Sequence, residues 1–333
     1  MAKKAAVLVG IDKYDNFADL TGCVADAKAM QERLRRNVDR SPNYDCQLVV
    51  YGGGDKEKKI TRPVLRGVCS ELFDFPGEVL FYFSGHGALT RQGGYLATCE
   101  AQRDDWGIPM QEVIQMANNS KASDILIILD CCHAGDAGDA PLLNSPGQNN
   151  HIASIRENMT IIAASRNTQS AMEVGGHGLF TTEVLNALDG GAADHIGAVT
   201  APAIYSYVER YFGAFSQRPI YKSNAAELNV VRRCAPIIDF SELEQLPTYF
   251  QSPDFKYQLD PEYEPDDEFG NRRGPINKEK VAIAALFKDY RDAGLLKSSK
   301  PGDQLYWTAR NSGTVELTLR GKEYWRLLKN DRL

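Results

Sequence analysis

The chain has 333 residues, enough for two domains of ordinary size, each with its own core. Hydrophobic residues make up 43% and charged residues 25%, near the averages of folded soluble proteins, which excludes a disordered or fibrous chain. The net charge of −6 hides an asymmetry, since residues 270–333 carry 14 Lys and Arg against 7 Asp and Glu, a local +7 that leaves −13 for residues 1–269. The longest apolar runs, Val79–Phe83 and Ile125–Leu129, fall far short of the roughly 18 residues of a membrane span, so no membrane partner is expected. Asp12 and Asp15 interrupt the basic start Met1-Ala2-Lys3-Lys4 and its apolar sequel before a signal-peptide core is complete, which predicts a cytoplasmic protein. Seven cysteines at irregular spacing predict reduced thiols rather than a disulfide framework.

In chain order, Ala5–Ile11 is a continuous apolar run ending at a turn, the signature of a strand buried on both faces of a parallel sheet. Cys46–Tyr51, Val79–Phe83, Ile125–Leu129 and Thr160–Ala164 repeat it, with helix-like stretches at 23–36, 62–74, 109–118 and 178–188 between and after them. This alternation predicts an α/β domain over residues 1–234, three layers around a mostly parallel sheet, with ligands beyond the carboxyl ends of the strands. Glycines at 52–54 suggest a phosphate cradle, but no Gly-Lys-Ser/Thr follows, and a turn is expected. Residues 134–158 are rich in Gly, Asn and Pro and predict a long loop. A helix near 200–213 and a last strand near 227–232 close the domain. Residues 235–275 carry six prolines and an acidic cluster from Asp260 to Glu268, which reads as a linker. A small α+β domain over 276–333 follows, with a helix from Asn277 to Arg291, a strand at Val315–Leu319 and a helix from Gly321 to Asn330.

Two strand ends carry the chemistry. Ser84-Gly85-His86-Gly87 follows one apolar run and Asp130-Cys131-Cys132-His133-Ala134-Gly135 the next, with His86 and Cys132 46 positions apart. Neighbouring strand ends bring an imidazole to a thiol, and a thiolate so served is a nucleophile. The N–H groups of Gly87 and of the nucleophilic cysteine can stabilise an oxyanion, so the set suits acyl transfer. A zinc site is disfavoured, because Cys131, Cys132 and His133 are consecutive and cannot readily wrap one tetrahedral ion.

Ser-Gly-His-Gly and Asp-Cys-Cys-His-Ala-Gly, with Val9–Tyr14 and Leu20–Ala27 before them, resemble the caspase-like cysteine peptidases, and among them the metacaspase and bacterial caspase-homologue branch. The resemblance covers residues 4–232. It implies His86 as catalytic histidine and Cys132 as nucleophile, with the Gly87 and Cys132 N–H groups as the oxyanion hole already read; Cys131 is then a neighbour whose side chain should point away from the cleft by strand alternation, and His133 is assigned a structural role. Where Asp-cleaving caspases line the primary pocket with arginine, the matching positions here carry Asp26 and Asp130. Cys23 and Ser84 join them by the same resemblance, which implies protein or peptide substrates cut after Arg and second after Lys. Another reading of Asp26 is a helix-start residue that complements the macrodipole. Ser165, in Ser165-Arg166-Asn167, falls where family members run alongside the bound peptide. No organic cofactor is implied. Asp104 and Asp105 fall where some metacaspases gather carboxylates around calcium, but two adjacent acids are few for a hard-cation site. Residues 133–155 contain no Lys or Arg, so Arg156 is the first site at which an Arg-specific enzyme could cut itself. Activation by another protease or a regulator, or no cleavage, both stay open. The resemblance also suggests a regulated bacterial protease in stress or antiviral defence.

The basic tail is similar to a winged-helix domain from Val315 to Leu328, whose Leu-Thr-x-x-Gly step starts the closing helix. Its +7 could meet nucleic acid, but docking to a protein is favoured because no recognition helix rich in base-reading side chains is evident. Trp307 and Trp325 are expected in its core. The competing functions are a catalytically silent caspase-fold scaffold and a nucleic-acid-binding regulator acting through this tail.

Overall fold

The computed structural model describes residues 3–54, 57–90, 93–131, 155–164, 173–174, 177–212, 218–264, 277–300, 302 and 304–333. They form two compact units, Met1–Ala235 and Pro236–Leu333.

The first unit runs β1 (Lys4–Ile11), α1 (Cys23–Leu34), β2 (Asp45–Tyr51), α2 (Arg62–Phe73), β3 (Glu78–Ser84), β4 (Gly87–Thr90), β5 (Gly93–Leu96), β6 (Ile108–Pro109), α3 (Met110–Asn118) and β7 (Asp124–Asp130). It continues with β8 (Met159–Ala163), β9 (Glu173–Val174), β10 (His177–Gly178), α4 (Leu179–Asn186), β11 (Ala198–Thr200), α5 (Ala201–Phe212), β12 (Ile220–Asn224) and β13 (Val230–Arg233). A six-stranded sheet has the order β12-β8-β7-β3-β1-β2, parallel throughout except for the antiparallel edge strand β12. The five apolar runs are its parallel strands, as expected. The last strand is different: residues 220–224 form the edge, whereas 230–233 pair with β11 in a separate two-stranded sheet. Ile-Tyr-Lys-Ser-Asn has no apolar run because an edge strand needs none.

Alternation along the strands sorts the core into two halves. Val79, Phe81, Phe83, Ile125, Ile127, Leu129 and Cys131 pack under α2 and α3. Leu80, Tyr82, Leu126 and Ile128 pack under α1, α4 and α5. Phe81 and Phe83 are fully buried, each worth about 2–3 kcal/mol of apolar transfer. Glycine at position 10 lets α1 lie directly on β1, since a Cβ there would stand 2.3 Å from the Cys23 carbonyl oxygen. Asp12, at the end of β1, accepts the Cys23 and Val24 N–H groups at 2.8 and 3.2 Å and so caps α1 from a neighbouring element. The Gly52 and Gly54 N–H groups are taken by the Glu57 carboxylate at 2.6 and 3.3 Å, so that turn is filled from within the chain.

The second unit consists of α6 (Phe240–Leu243), α7 (Leu246–Tyr249), β14 (Lys256–Gln258), α8 (Lys278–Asp292), β15 (Leu296–Ser298), α9 (Leu305–Arg310), β16 (Thr314–Leu317) and α10 (Leu319–Lys329), with a three-stranded antiparallel sheet β14-β16-β15. The stretch expected as linker therefore supplies two short helices and a strand up to residue 264. Two of its prolines mark helix starts, Pro247 in α7 and Pro261 in a 3-10 turn. The Phe287 ring meets Tyr257 at 5.0 Å and Phe250 at 5.7 Å. Tyr290 donates to the Glu242 carbonyl at 2.6 Å and the Trp325 indole to that of Phe250 at 2.5 Å. Trp307 departs from expectation, being 47% exposed. Over residues 236–333 the charge is 15 Lys and Arg against 17 Asp and Glu, net −2, so acids upstream in the same unit cancel the excess of the tail. Among the described residues no helix is long and apolar enough to cross a membrane.

Candidate active site

The parallel register sets Gly10, Ser84 and Asp130 side by side at the carboxyl ends of β1, β3 and β7. Immediately beyond β3, the His86 backbone N–H donates to the Tyr14 hydroxyl at 2.8 Å, and the Tyr14 ring lies 4.7 Å from the imidazole. Burial pushes the Tyr14 hydroxyl well above its ordinary pKa, so it remains protonated. The His86 Nε2 is 2.7 Å from the Ala18 carbonyl oxygen, which can only accept. Nε2 therefore carries a hydrogen and Nδ1 is left for proton exchange. The Phe17 ring stands edge-on to the imidazole at 6.3 Å and stacks on Trp106 at 5.3 Å.

Gly87 opens β4 opposite Leu96, and the Ala97 N–H bonds to the His86 carbonyl at 3.0 Å. That bond makes Gly87 and Leu96 a non-hydrogen-bonded pair, so the ladder does not take the Gly87 N–H.

On the face of the sheet covered by α1 and α4, the four pocket residues expected from sequence come together. Asp26 is 1% exposed and accepts the Gly178 N–H at 3.2 Å, so it turns inward from the first turn of α1 rather than serving only the helix dipole. Asp130 accepts the Thr181 hydroxyl at 2.5 Å, and that hydroxyl pairs with the Tyr82 hydroxyl at 2.6 Å. A Cβ at position 178 would stand 2.7 Å from the Asp130 carboxylate and 3.3 Å from that of Asp26, so one stretch of glycine backbone touches both acids. Burial pushes the Asp130 carboxyl up to about 6; the Thr181 hydrogen bond opposes this and the Asp26 charge adds to it. Ser84 is buried and bonds to the Cys23 thiol, whose own pKa is driven far up, chiefly by burial. Cys23 is thus a neutral thiol in this cluster and not a nucleophile.

Cys131 is 5% exposed and joins the core on the opposite face, as its alternation with Asp130 requires. Cys132 and Ser165 lie outside the described residues, as does most of the expected loop 134–158. Arg156 is described: its N–H bonds to Asn118 at 2.9 Å and its guanidinium to the Ser120 carbonyl at 2.8 Å. Asp105 stands 3.6 Å from the Arg62 guanidinium, and among the described residues no group of three or more His, Cys, Asp and Glu is placed to hold a metal ion. Sequence reasoning missed Gly178, Thr181 and Tyr82 beside the paired acids and Phe17, Ala18 and Trp106 on the His86 side. Tyr14 fell inside a quoted motif without a role. The others have no local signal, because their positions follow from tertiary packing.

A family model for the caspase domain matches residues 3–231, almost the whole first unit. Metacaspase-1 of Meyerozyma guilliermondii is 26% identical over 166 residues, 43% of this chain and 38% of that protein. Metacaspase-8 of Arabidopsis thaliana is 29% identical over 154 residues, 40% of this chain and 38% of that protein. Metacaspase-1 of Debaryomyces hansenii is 28% identical over 159 residues, 43% of this chain and 35% of that protein. The chain thus spans little more than a third of the length of these relatives. With five parallel strands in place and the family match running from β1 to β13, the chain belongs to the caspase-domain family of peptidases.

Proposed function

We propose that the chain is a cysteine endopeptidase that cleaves protein substrates after Arg, and second after Lys, with Cys132 as nucleophile and His86 as its proton partner. The observation that carries the specificity is the meeting of Asp26 and Asp130 against Gly178. Two like charges held together out of water carry an electrostatic cost, and a guanidinium entering between them relieves it. Lys satisfies the charge but lacks the planar fork that matches paired carboxylates, hence the order Arg before Lys.

In this mechanism the Cys132 thiolate attacks the carbonyl carbon after Arg, and the oxyanion takes the Gly87 and Cys132 N–H groups. His86 Nδ1 then donates its proton to the leaving amine. Water attacks the acyl-enzyme carbonyl and gives a proton to Nδ1, and the carbon–sulfur bond breaks, releasing the acid and restoring the Cys132 thiolate. Ser165 is assigned to backbone contact with the peptide. Arg156 is held by both its backbone and its guanidinium, which supports an intact chain as the working form. Its trigger is then another protease or a regulator rather than self-cleavage at Arg156, in keeping with a stress or antiviral defence role. The second unit is assigned to protein docking as a winged-helix-like module. Its net charge of −2 and its paired lysines favour this over nucleic acid, and duplex binding at physiological salt is expected to be absent.

Fluorogenic peptides ending in Arg, Lys or Asp, tried with wild type and Cys132→Ala, with and without calcium, test the reading. Cleavage after Arg that Cys132→Ala abolishes supports it. Cleavage after Asp overturns the pocket, and an unlabelled Cys132 in the presence of a peptidyl electrophile leaves the scaffold reading.

A further inference from the structure

The acidic pocket and the aromatic pair lie over opposite faces of the central sheet, with His86 at the strand tip between them. Asp26, Ser84, Asp130 and Thr181 belong to the face under α1 and α4, where Tyr82 and Phe180 pack. Tyr14 is buried in the core on the other face and Phe17 packs against that core. Trp106, half-buried, covers Phe17 as a stacked ring at 5.3 Å with 18° between planes. Two stacked aromatic rings left half open beside a reactive imidazole form a flat apolar ledge. Nothing in the chemistry of His86 itself requires that ledge to be aromatic.

Resting on the peptidase reading above, we infer that Phe17 and Trp106 form the subsite for the residue that follows the cleaved bond, and that it takes a large apolar or aromatic side chain. A peptide whose Arg enters the pocket on one face and whose scissile carbonyl sits at the strand tip continues toward the other face. The amine that receives the proton from His86 belongs to the next residue, so that residue must lie against the imidazole on the side away from the carboxylates. Phe17 touches the imidazole there. Asp15 and Asp19, which flank Phe17, are engaged by Lys59 and Lys13 at 2.6 and 2.8 Å, and Asp105, next to Trp106, stands 3.6 Å from the Arg62 guanidinium, so these acids have cations of their own. Aromatic contact in a preformed apolar site favours a flat side chain.

The test uses the full chain and internally quenched peptides that keep Arg before the cleaved bond and vary Phe, Leu, Ala, Gly or Asp after it. Wild type is expected to favour Phe and Leu over Gly and Asp by about fivefold or more in kcat/KM. In Trp106→Ala the ratio of Phe to Gly should fall to within about twofold, while Trp106→Tyr keeps most of it. Because the ratio is taken within each variant, a general loss of activity cancels. An Arg chloromethyl ketone has no residue beyond its reactive carbon, so its Cys132-dependent labelling reports the nucleophile and the acidic pocket alone. Normal labelling with a flat preference, or one for Gly or Asp, overturns the subsite and leaves the peptidase reading standing. Neither labelling nor cleavage removes the peptidase reading, and the subsite with it.

Discussion

In the second unit Lys280 holds Asp260 at 2.5 Å and Glu262 at 2.9 Å, Lys322 holds Asp254 at 2.5 Å and Lys297 holds Glu316 at 3.2 Å, all near the surface. In the first unit Asp26 and Asp130 lie beneath the surface of the sheet and receive hydrogen bonds from neutral donors, the Gly178 N–H and the Thr181 hydroxyl. The same residue types thus serve different ends. Surface acids with their own lysines are electrostatically complete and bring little stability, since water screens them. Buried acids facing one another are held at a cost to the fold, which on the proposed reading the cation of a substrate relieves.

That contrast can be broken at several points. The largest effect is expected from Cys132→Ala, which should lower kcat/KM for Arg peptides by about 10⁴-fold or more while leaving the fold intact, as read by activity and by circular dichroism. Asp130→Asn should cost about a hundredfold in kcat/KM for Arg peptides and raise the melting temperature of the substrate-free protein, because it removes a desolvated charge. A fall in melting temperature would argue that the carboxylate is structural. The pH dependence sharpens the same point. The Asp130 carboxyl titrates near 6, above its unfolded value, so the folded protein binds that proton more tightly. Its stabilising contribution is complete below about pH 4 and is lost as pH rises through about 6, a slope that Asp130→Asn should erase from melting curves. Thr181→Val removes the hydrogen bond that favours the charged carboxylate and should move the acid limb of kcat/KM to higher pH. The smallest effect belongs to the second unit, where Lys280→Met should shift the melting temperature by about 2 °C or less, and by less still in high salt.

Legibility followed the same division between local and tertiary signals. Runs such as Val79–Phe83 and Ile125–Leu129 announce doubly buried parallel strands by themselves, and they fix where His86 and Asp130 emerge. The meeting of Asp26 and Asp130 was legible through their place in motifs. Thr181 and Gly178 were not, because they reach the pocket from a segment about 50 residues downstream of Asp130, and no spacing rule links them. Proline and acid content made residues 235–275 read as a spacer, although Phe250, Tyr257 and Tyr263 within it join an aromatic core with Phe287. Composition there outweighed three aromatic residues that only tertiary packing explains. The edge strand β12 and the short strands β4 to β6 were missed because strands of two to five residues without an apolar run carry little local signal.

The most direct measurement compares two peptides that differ only in Arg or citrulline before the cleaved bond, from pH 5 to pH 8, with wild-type protein. Citrulline keeps the shape and removes the charge. Selection by the Asp26 and Asp130 pair predicts strong preference for Arg that grows as pH rises through about 6, where Asp130 ionises. Equal rates for the two peptides, or an Arg preference that is flat across that range, would contradict it.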